Sequence, residues 1–326
     1  MTSEALERRS SNPSIPGMAG TFERDGDALV FTPRFLFVEG LRYVLVVDGH
    51  AVGSLERPVA PPPAPTMVAG MFPTGGSVPV NLLRLYVQFS ASMSEGCAAR
   101  AVTIANAATG QPLLHALLDM TPELWDPART RLTLFLDPGR IKRGLVPNLE
   151  AGYPLVEGRA IVITVGATFK DAAGQPIAEA FSRRYDVGPA VSTRIDPARW
   201  IVNTPAAGSG QALQVGFDRP LDRALLARSL TVRDASGDIV EGDAHIAAGE
   251  RSWSFRPRHP WGGAITGMGS GTQAGTGACA YVLAVDTRLE DVAGNSVLRV
   301  FDRDLTRRED DPAGEHHVEL LPIELK

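Results

Sequence analysis

Residues 281–301 read Y-V-L-A-V-D-T-R-L-E-D-V-A-G-N-S-V-L-R-V-F. From Tyr281 to Val285, large apolar residues alternate with smaller or solvent-tolerant ones, which is the period-two pattern of a half-buried β-strand. The D-V-A-G-N of 291–295 consists of residues that favour turns, and the V-L-R-V-F of 297–301 predicts a second strand. The stretch therefore predicts a strand, a turn and a strand within an all-β protein.

Weaker copies of these features recur upstream in the same order, which indicates two repeated modules. The corresponding segments are 73–76 and 205–208 (P-T-G-G, P-A-A-G), 85–89 and 213–217 (L-Y-V-Q-F, L-Q-V-G-F), Met93 and Leu221, 102–104 and 230–232 (V-T-I, L-T-V), and 171–174 and 291–294 (D-A-A-G, D-V-A-G). We therefore predict one module at 66–188 and a second at 189–305. The predicted strands include 161–165 and 213–217, and residues 101–105 and 112–118 are predicted to form a hairpin.

Residues 19–58 predict a partial β module. The F-T-P-R of 31–34 and the Y-V-L of 43–45 correspond to F-R-P-R at 255–258 and Y-V-L at 281–283. A fragment of a β-sandwich cannot bury its own apolar face, so we expect this piece to pack against a neighbour. The other predicted segments are a disordered N-terminal segment (1–18), a Pro-rich linker (59–65) and a C-terminal tail or added strand (306–326).

The order of these motifs along the chain is P-x-x-G, L-x-V-x-F, F-x-P, G-x-x-Y and D-x-A-G-N. This order resembles the bacterial Ig-like modules of the SbsA type, which occur as tandem β-sandwiches in S-layer and other envelope or secreted proteins. The resemblance implies an all-β fold of tandem Ig-like β-sandwiches preceded by a partial β module. It also implies a location in the cell envelope or outside the cell, although no signal peptide is visible in this sequence. The chain departs from the pattern in a long loop at 137–157 and a Gly-rich insertion at 262–280.

The amino-acid composition limits the classes of partner and location that are expected for this protein. A net charge of −5 and a pI near 5.7 argue against a nucleic-acid partner, which would require a basic face. No run of about 18 apolar residues is present, so no transmembrane segment is predicted. Cys97 and Cys279 fall in different modules, and we predict two unpaired thiols.

Four oxygen-bearing side chains near the second D-x-A-G turn are candidate calcium ligands, namely Asp286, Glu290, Asp291 and Asn295. Calcium takes six to eight oxygen ligands. The favoured alternative is a turn in which the Asp side chain accepts hydrogen bonds from the backbone, because no Asp-x-Asp-x-Asp-Gly loop is present. We therefore predict no cofactor, with calcium as the candidate exception.

Two surfaces are candidates for contact with a partner. Arg140, Lys142 and Arg143 lie close together on the long loop and can engage an anionic polymer or a carboxylate of a partner, although local ion pairs on a solvated loop are the favoured alternative. Trp261, beside the Gly-rich tract, is the tryptophan best placed to stack on a sugar, although packing inside the core is the usual role of such a side chain.

Three functions follow from these observations. The first is a non-enzymatic structural or interaction protein whose partner is a protein or an envelope polysaccharide. The second is a carbohydrate-binding or calcium-assisted adhesion module. The third is an enzyme with a site at the module interface, which no catalytic motif supports: Gly-x-Ser-x-Gly and His-Glu-x-x-His are absent from the sequence.

Overall fold

The computed structural model describes residues 17–48, 50–59, 64–262, 281–304, 306–310 and 317–326. The predicted disordered segment up to residue 16, the linker residues 60–63, the Gly-rich insertion from 263 to 280 and Cys279 lie outside these ranges. The chain divides into two compact units, Met1–Ala64 and Pro65–Lys326. Strands dominate both units, so the protein has an all-β fold.

The first unit consists of two antiparallel hairpins. Strands β1 (Gly20–Asp25) and β2 (Ala28–Pro33) turn at Gly26, whose φ of +58° suits glycine. Strands β3 (Arg42–Val47) and β4 (His50–Glu56) form the second hairpin. Each hairpin is a separate two-stranded sheet.

The second unit contains two β-sandwiches. The sheets of the first sandwich have the strand orders β5-β7-β10-β9 and β6-β12-β11-β8. Its strands are β5 (Val68–Phe72), β6 (Ser77–Pro79), β7 (Arg84–Phe89), β8 (Val102–Asn106), β9 (Leu124–Trp125), β10 (Arg131–Phe135), β11 (Ala160–Val165) and β12 (Phe181–Gly188). On β11, Ile161, Ile163 and Val165 are buried while the residues between them are half-buried, as the alternation of a strand on a core predicts.

The sheets of the second sandwich have the strand orders β13-β14-β17-β16 and β15-β18-β19. Its strands are β13 (Ile201–Asn203), β14 (Leu213–Gly216), β15 (Leu230–Asp234), β16 (Gly242–Ile246), β17 (Ser252–Pro257), β18 (Tyr281–Asp286) and β19 (Val318–Ile323). Leu213, Val215, Leu283 and Val285 from the two sheets meet in one core.

The helices are short. They are α1 (Ala98–Ala101), α2 (Pro138–Ile141), α3 (Val146–Ala151), α4 (Arg223–Ser229) and the 3-10 turns Pro197–Arg199 and Arg308–Asp310. The segment 137–157, predicted as a loop, contains α2 and α3. Each of these two helices has a proline in its first turn, where the missing N–H costs no intrahelical bond. Asp137 begins α2 by accepting a hydrogen bond from the N–H of Gly139 at 2.8 Å.

Two predicted strands are wrong. Residues 297–301 form a compact turn, because the N–H of Ser296 donates to the carbonyl of Arg299 and the N–H of Phe301 donates to Oδ1 of Asn295. The edge of β18 is instead paired with β19. Residues 112–118, predicted as the second strand of a hairpin, contribute only isolated bridges at Pro112 and Leu117. Burial, which does not require a strand, explains Val297 and Val300 in the first segment, whereas Leu114 and Leu118 in the second segment are exposed.

Candidate functional site at the junction of the two sandwiches

Arg84, on β7 of the first sandwich, reaches two carboxylates of the second. Its Nε lies 2.5 Å from Oδ2 of Asp222, and its guanidinium also pairs with Glu290. Asp222 is almost completely buried, and its other oxygen accepts a hydrogen bond from the N–H of Leu225 at 2.9 Å, which begins α4. Asp222 thus caps the N-terminus of α4 and also binds the first sandwich.

Tyr86 lies beside this ion pair and donates its hydroxyl to Oδ2 of Asp222 at 2.7 Å. Burial and the adjacent carboxylate together raise the pKa of Tyr86 well above its ordinary value. Burial alone would lower the pKa of Arg84, but the interactions with Asp222, Tyr86 and Glu290 together outweigh it and raise that pKa. Arg84 therefore stays charged and Tyr86 stays neutral at physiological pH, which suits a structural contact.

A second polar contact joins the sandwiches at Glu250, which has no exposed surface. Its carboxylate accepts two hydrogen bonds from Thr74, one from the N–H and one from the hydroxyl, both at 2.7 Å. The Thr74 hydroxyl oxygen in turn accepts from the N–H of Gly249 at 2.6 Å. A buried carboxylate with charge-assisted hydrogen bonds of this kind fixes the relative position of the two backbones.

The connection between the sandwiches is held from both sides at Val191. Asn81 of the first sandwich donates to the Val191 carbonyl at 2.8 Å and accepts from its N–H at 3.0 Å. Asn295 of the second sandwich also donates to that carbonyl at 2.8 Å. Both asparagines are buried. The connecting backbone is therefore hydrogen-bonded to both sandwiches.

The predicted partner surface at Arg140, Lys142 and Arg143 is occupied by contacts within the chain. Arg143 binds Asp302 of the second sandwich at 2.5 Å, and Lys142 lies 4.8 Å from the centre of the Phe301 ring. Arg140 donates to backbone carbonyls of its own loop, including those of Gly152 and Tyr153. These cations thus belong to the junction and its supporting loop.

The four candidate calcium ligands do not converge on one point. Asp286 pairs with Arg288 and Glu290 with Arg84. Oδ1 of Asp291 accepts from the N–H groups of Ala293 and Asn295, both at 2.9 Å, as in the predicted turn. Burial raises the pKa of Asp291 to about 6, although hydrogen bonds from Asn295 oppose the shift. Within the described residues, no group of three or more acidic, His or Cys side chains is arranged to hold a metal.

Trp261 lies inside the second core and is only 1% exposed. Its ring packs edge-on against Phe255 and Tyr281, and its Nε1 donates to the carbonyl of Gln211 at 2.6 Å. The favoured alternative, packing inside the core, is therefore the one that the structure shows at this residue. The indole closes the core at the point where the chain enters the Gly-rich tract.

An open groove of about 570 Å³ runs beside the junction and is rich in arginine. Arg84 and Arg288 in its wall are paired with carboxylates. Arg228 and Arg299 are exposed and, among the described residues, have no carboxylate partner within ion-pair distance. The groove thus presents the guanidinium groups of Arg228 and Arg299 to solvent, with Arg228 within electrostatic reach of Asp286.

The residues that join the sandwiches carry no sequence motif of their own. They are Arg84, Asp222, Thr74 and Glu250. One signal was available for Asp222, because an aspartate before a run of helix-forming residues predicts a helix start. No local pattern links it to Arg84, which lies 138 residues away.

No protein-family model matches this chain, and no curated protein matches it. Among solved structures, the chain is similar to the S-layer protein rSbsC(31-844), with 12% identity, a TM-score of 0.27, and coverage of 68% of this chain and 23% of that one. It is similar to E. coli alpha-2-macroglobulin spanning domains MG0-NIE-MG1 (11% identity, TM-score 0.26, coverage of 80% and 72%) and to the titin Ig tandem A164-A165 (11% identity, TM-score 0.20, coverage of 74% and 87%). The chain spans less than a quarter of the S-layer chain. These are distant β-sandwich resemblances, and the SbsA type stays a prediction from the motifs.

None of the helices in the described part of the chain has the length and apolar character that a membrane crossing requires.

Proposed function

We propose that this chain is a non-enzymatic structural protein in which residues 65–326 form a stiff pair of sandwiches that holds the attached segments at a fixed separation. The observation that carries the proposal is the junction, where Arg84 of the first sandwich pairs with Asp222 and Glu290 of the second. An envelope or extracellular location belongs to the same proposal, because the SbsA-type motifs are typical of such proteins.

The polar character of the junction supports a fixed arrangement. Removing one partner of a buried ion pair leaves the other charge buried and uncompensated, which typically costs about 3–5 kcal/mol. Asp222 and Glu250 are both buried, so separation of the sandwiches requires hydration of each carboxylate and of its partners. Two sandwiches joined in this way are expected to unfold together.

Guanidinium unfolding tests the proposal, because a tryptophan reports on each sandwich. Trp125 belongs to the first sandwich, and Trp200, Trp253 and Trp261 belong to the second. We expect the Trp125 fluorescence, isolated by replacing the other three with Phe, to change at the same denaturant concentration as the circular dichroism of that same variant, which reports on both sandwiches.

Arg84→Met is expected to separate these two transitions, because it leaves Asp222 buried without its cation. The matched control is Arg184→Met, which removes an exposed arginine of the first sandwich that pairs with the exposed Asp186. Two separate transitions in the parent chain, each retained in Arg84→Met, would show that the sandwiches are independent and would refute the proposal.

The arginine-rich groove favours a second function, the binding of an acidic envelope polysaccharide. Arg228 and Arg299 present guanidinium groups that match carboxylates or phosphates along such a polymer. We expect polygalacturonate to bind in calorimetry at low salt and more weakly at 0.3 M NaCl, because exposed charges are screened. The double variant Arg228→Gln and Arg299→Gln should lose the binding, whereas Arg256→Gln, an exposed arginine on β17, should keep it. Equal binding by both variants would exclude the groove.

A further inference from the structure

Strand β16 (Gly242–Ile246) lies at the edge of its sheet. Strand β17 pairs with it on one side, and no strand in the described part of the chain pairs with it on the other. Its first four residues are exposed. An exposed edge of this kind is a template for pairing with another strand.

The other sheet edges of the second unit are short, covered or interrupted. Strands β6 and β13 have three residues each, and β9 has two. The N–H of Leu113 donates to the Ile104 carbonyl of β8 at 2.8 Å, and the N–H of Val240 donates to the Val232 carbonyl of β15 at 2.9 Å. Strand β5 has an irregular register with β7, and β19 contains Pro322, which has no N–H to donate. Proteins commonly protect edge strands by such means, whereas β16 has a regular register with β17 and contains no proline.

The hydrogen bonds to β17 show which backbone groups of β16 point outwards. Beyond the two ends of the strand, the N–H of Arg258 donates to the Glu241 carbonyl at 2.9 Å, and the N–H of Ala247 donates to the Ser252 carbonyl at 3.0 Å. Hydrogen-bonded pairs alternate along an antiparallel ladder, so every second residue between these ends faces away from β17. The residues whose N–H and carbonyl groups point to the free edge are Gly242, Ala244 and Ile246.

The side chains of β16 alternate between the core and the solvent. Ala244 lies opposite Phe255, which is buried in the core. Asp243 and His245 therefore point away from the core, and both are exposed. The charged side chain that faces them from β17 is Arg256, opposite Asp243. Within the described residues, neither Asp243 nor His245 has an ion-pair partner.

This edge is complementary to itself in one antiparallel register. When two copies pair with Ala244 opposite Ala244, Asp243 of each copy lies opposite His245 of the other. Centring the pair on Asp243 would place two aspartates opposite each other, and centring it on His245 would place two histidines opposite each other. Like charges directly opposite are unfavourable. The register centred on Ala244 also brings the outward backbone groups of Gly242 opposite those of Ile246, so the whole strand can be hydrogen-bonded.

A groove beside β16 fits the same register. It has a volume of about 540 Å³, and the apolar residues of its lining include Ile239, Val240, Ala244 and Phe255. The Phe255 ring lies against Gly242, which has no side chain, and Ile239 is 62% exposed. In the register centred on Ala244, Ile246 of the second copy lies opposite Gly242, with its side chain on the core side of the sheet. Ile246 of the second copy thus packs on the Phe255 ring and covers the groove.

We propose that two copies of this chain associate edge to edge through β16, in antiparallel pairing centred on Ala244. One continuous sheet then runs through both copies in the order β13-β14-β17-β16-β16′-β17′-β14′-β13′, where the primed strands belong to the second copy. Both copies use the same surface, so the contact is isologous, which is the common arrangement in symmetric dimers. This self-association goes beyond the proposed structural role and does not depend on the junction between the sandwiches.

The mass of the full chain in solution tests the proposal. A contact through a single strand buries little surface, so we expect a weak dimer with a dissociation constant of about 10–100 μM. Sedimentation equilibrium under reducing conditions at pH 6, where histidine side chains gain charge, measures this constant. The mass should rise with concentration from 34.7 kDa towards twice that value. A chain that stays monomeric at about 500 μM, well above the expected constant, would overturn the proposal.

Exchange of the two polar side chains tests the register. His245→Asp alone places aspartates opposite each other, and Asp243→His alone places histidines opposite each other, so each substitution should weaken the dimer by about tenfold or more. The double variant Asp243→His and His245→Asp again places an acid opposite a histidine and should dimerise like the parent. A mixture of the two single variants should form heterodimers of similar affinity for the same reason. If all these chains dimerise with the same affinity, the proposal is wrong.

Proline substitution at the centre of the contact tests the backbone pairing. Ala244→Pro removes an N–H that does not pair with β17, so the fold should persist in circular dichroism while the dimer is lost. The matched control Ala244→Ser keeps the N–H and should dimerise. A dimer that survives Ala244→Pro would place the contact elsewhere and overturn the proposal. If Ala244→Pro fails to fold, the variants at Asp243 and His245 still decide, because they change only exposed side chains.

Discussion

Replacing Gly294 by alanine tests how tightly the two sandwiches are packed. Gly294 belongs to the D-V-A-G-N turn of the second sandwich and has a φ of +84°. A Cβ at this position would overlap Cδ2 of Leu83 in the first sandwich and would lie 3.2 Å from Cδ2 of Phe301. The substitution thus introduces both backbone strain and a collision at the junction.

Gly174 provides a control that separates these two effects. It occupies the equivalent turn of the first sandwich with a φ of +80°, and a Cβ there would meet nothing within 4 Å. Gly174→Ala should therefore cost only the left-handed backbone conformation, about 1–2 kcal/mol. Overpacking a filled core typically costs about 1–3 kcal/mol, so Gly294→Ala should lower the free energy of unfolding by that much more than Gly174→Ala.

Guanidinium denaturation followed by tryptophan fluorescence measures both variants. A third variant, Leu83→Ala combined with Gly294→Ala, should recover the excess loss relative to Leu83→Ala alone, because it removes the methyl group that the new Cβ meets. If Gly294→Ala and Gly174→Ala cost the same, Leu83 does not lie against the turn, and the described junction is incorrect.

Three further results are expected. The pKa of Asp291 is raised from 3.8 to about 6 in the folded chain, so the folded state holds the proton more tightly and the free energy of unfolding falls as pH rises from 4 to 6. In Asp291→Asn, the free energy of unfolding should fall by about 3 kcal/mol less over this pH range than in the parent chain. If the free energy of unfolding depends on pH equally in both chains, this expectation is contradicted. Glu250→Gln turns an amide donor towards Thr74 and should lower the free energy of unfolding by about 1–3 kcal/mol. The control Glu241→Gln, at an exposed position, should change it by less than about 0.5 kcal/mol. Equal effects of the two substitutions would argue against the buried contact. Trp261→Ala should cost about 3–5 kcal/mol by opening the core, and a loss below about 1 kcal/mol would indicate an exposed ring.

The strands that carry the fold could be predicted from the sequence because alternation is a local property. The predicted strand at 213–217 corresponds to β14, and the one at 161–165 to β11. The error at 297–301 has a physical reason. Val297 and Val300 are buried, so the segment is as apolar as a strand, but Asn295 and Ser296 bind its backbone into a turn.

The junction could not be predicted because its partners are remote in sequence. Arg143 was identified as a surface cation, yet its carboxylate, Asp302, lies 159 residues away. Trp261 looked exposed because the residues that follow it are glycine-rich, whereas its surroundings come from Phe255, Tyr281 and the carbonyl of Gln211. Charge and aromatic content are visible in a sequence, but the partner that covers them is decided by tertiary structure.

A distance distribution between the two sandwiches tests the stiff pair most directly. Spin labels at Thr103→Cys on β8 and Gln214→Cys on β14, both exposed positions, report the separation by pulsed electron spin resonance in a Cys97→Ser, Cys279→Ser background. Diluting labelled chains with unlabelled ones removes signals between copies. We predict one narrow distribution that broadens in Arg84→Met, whereas a broad distribution in the otherwise unaltered chain would contradict a stiff pair of sandwiches.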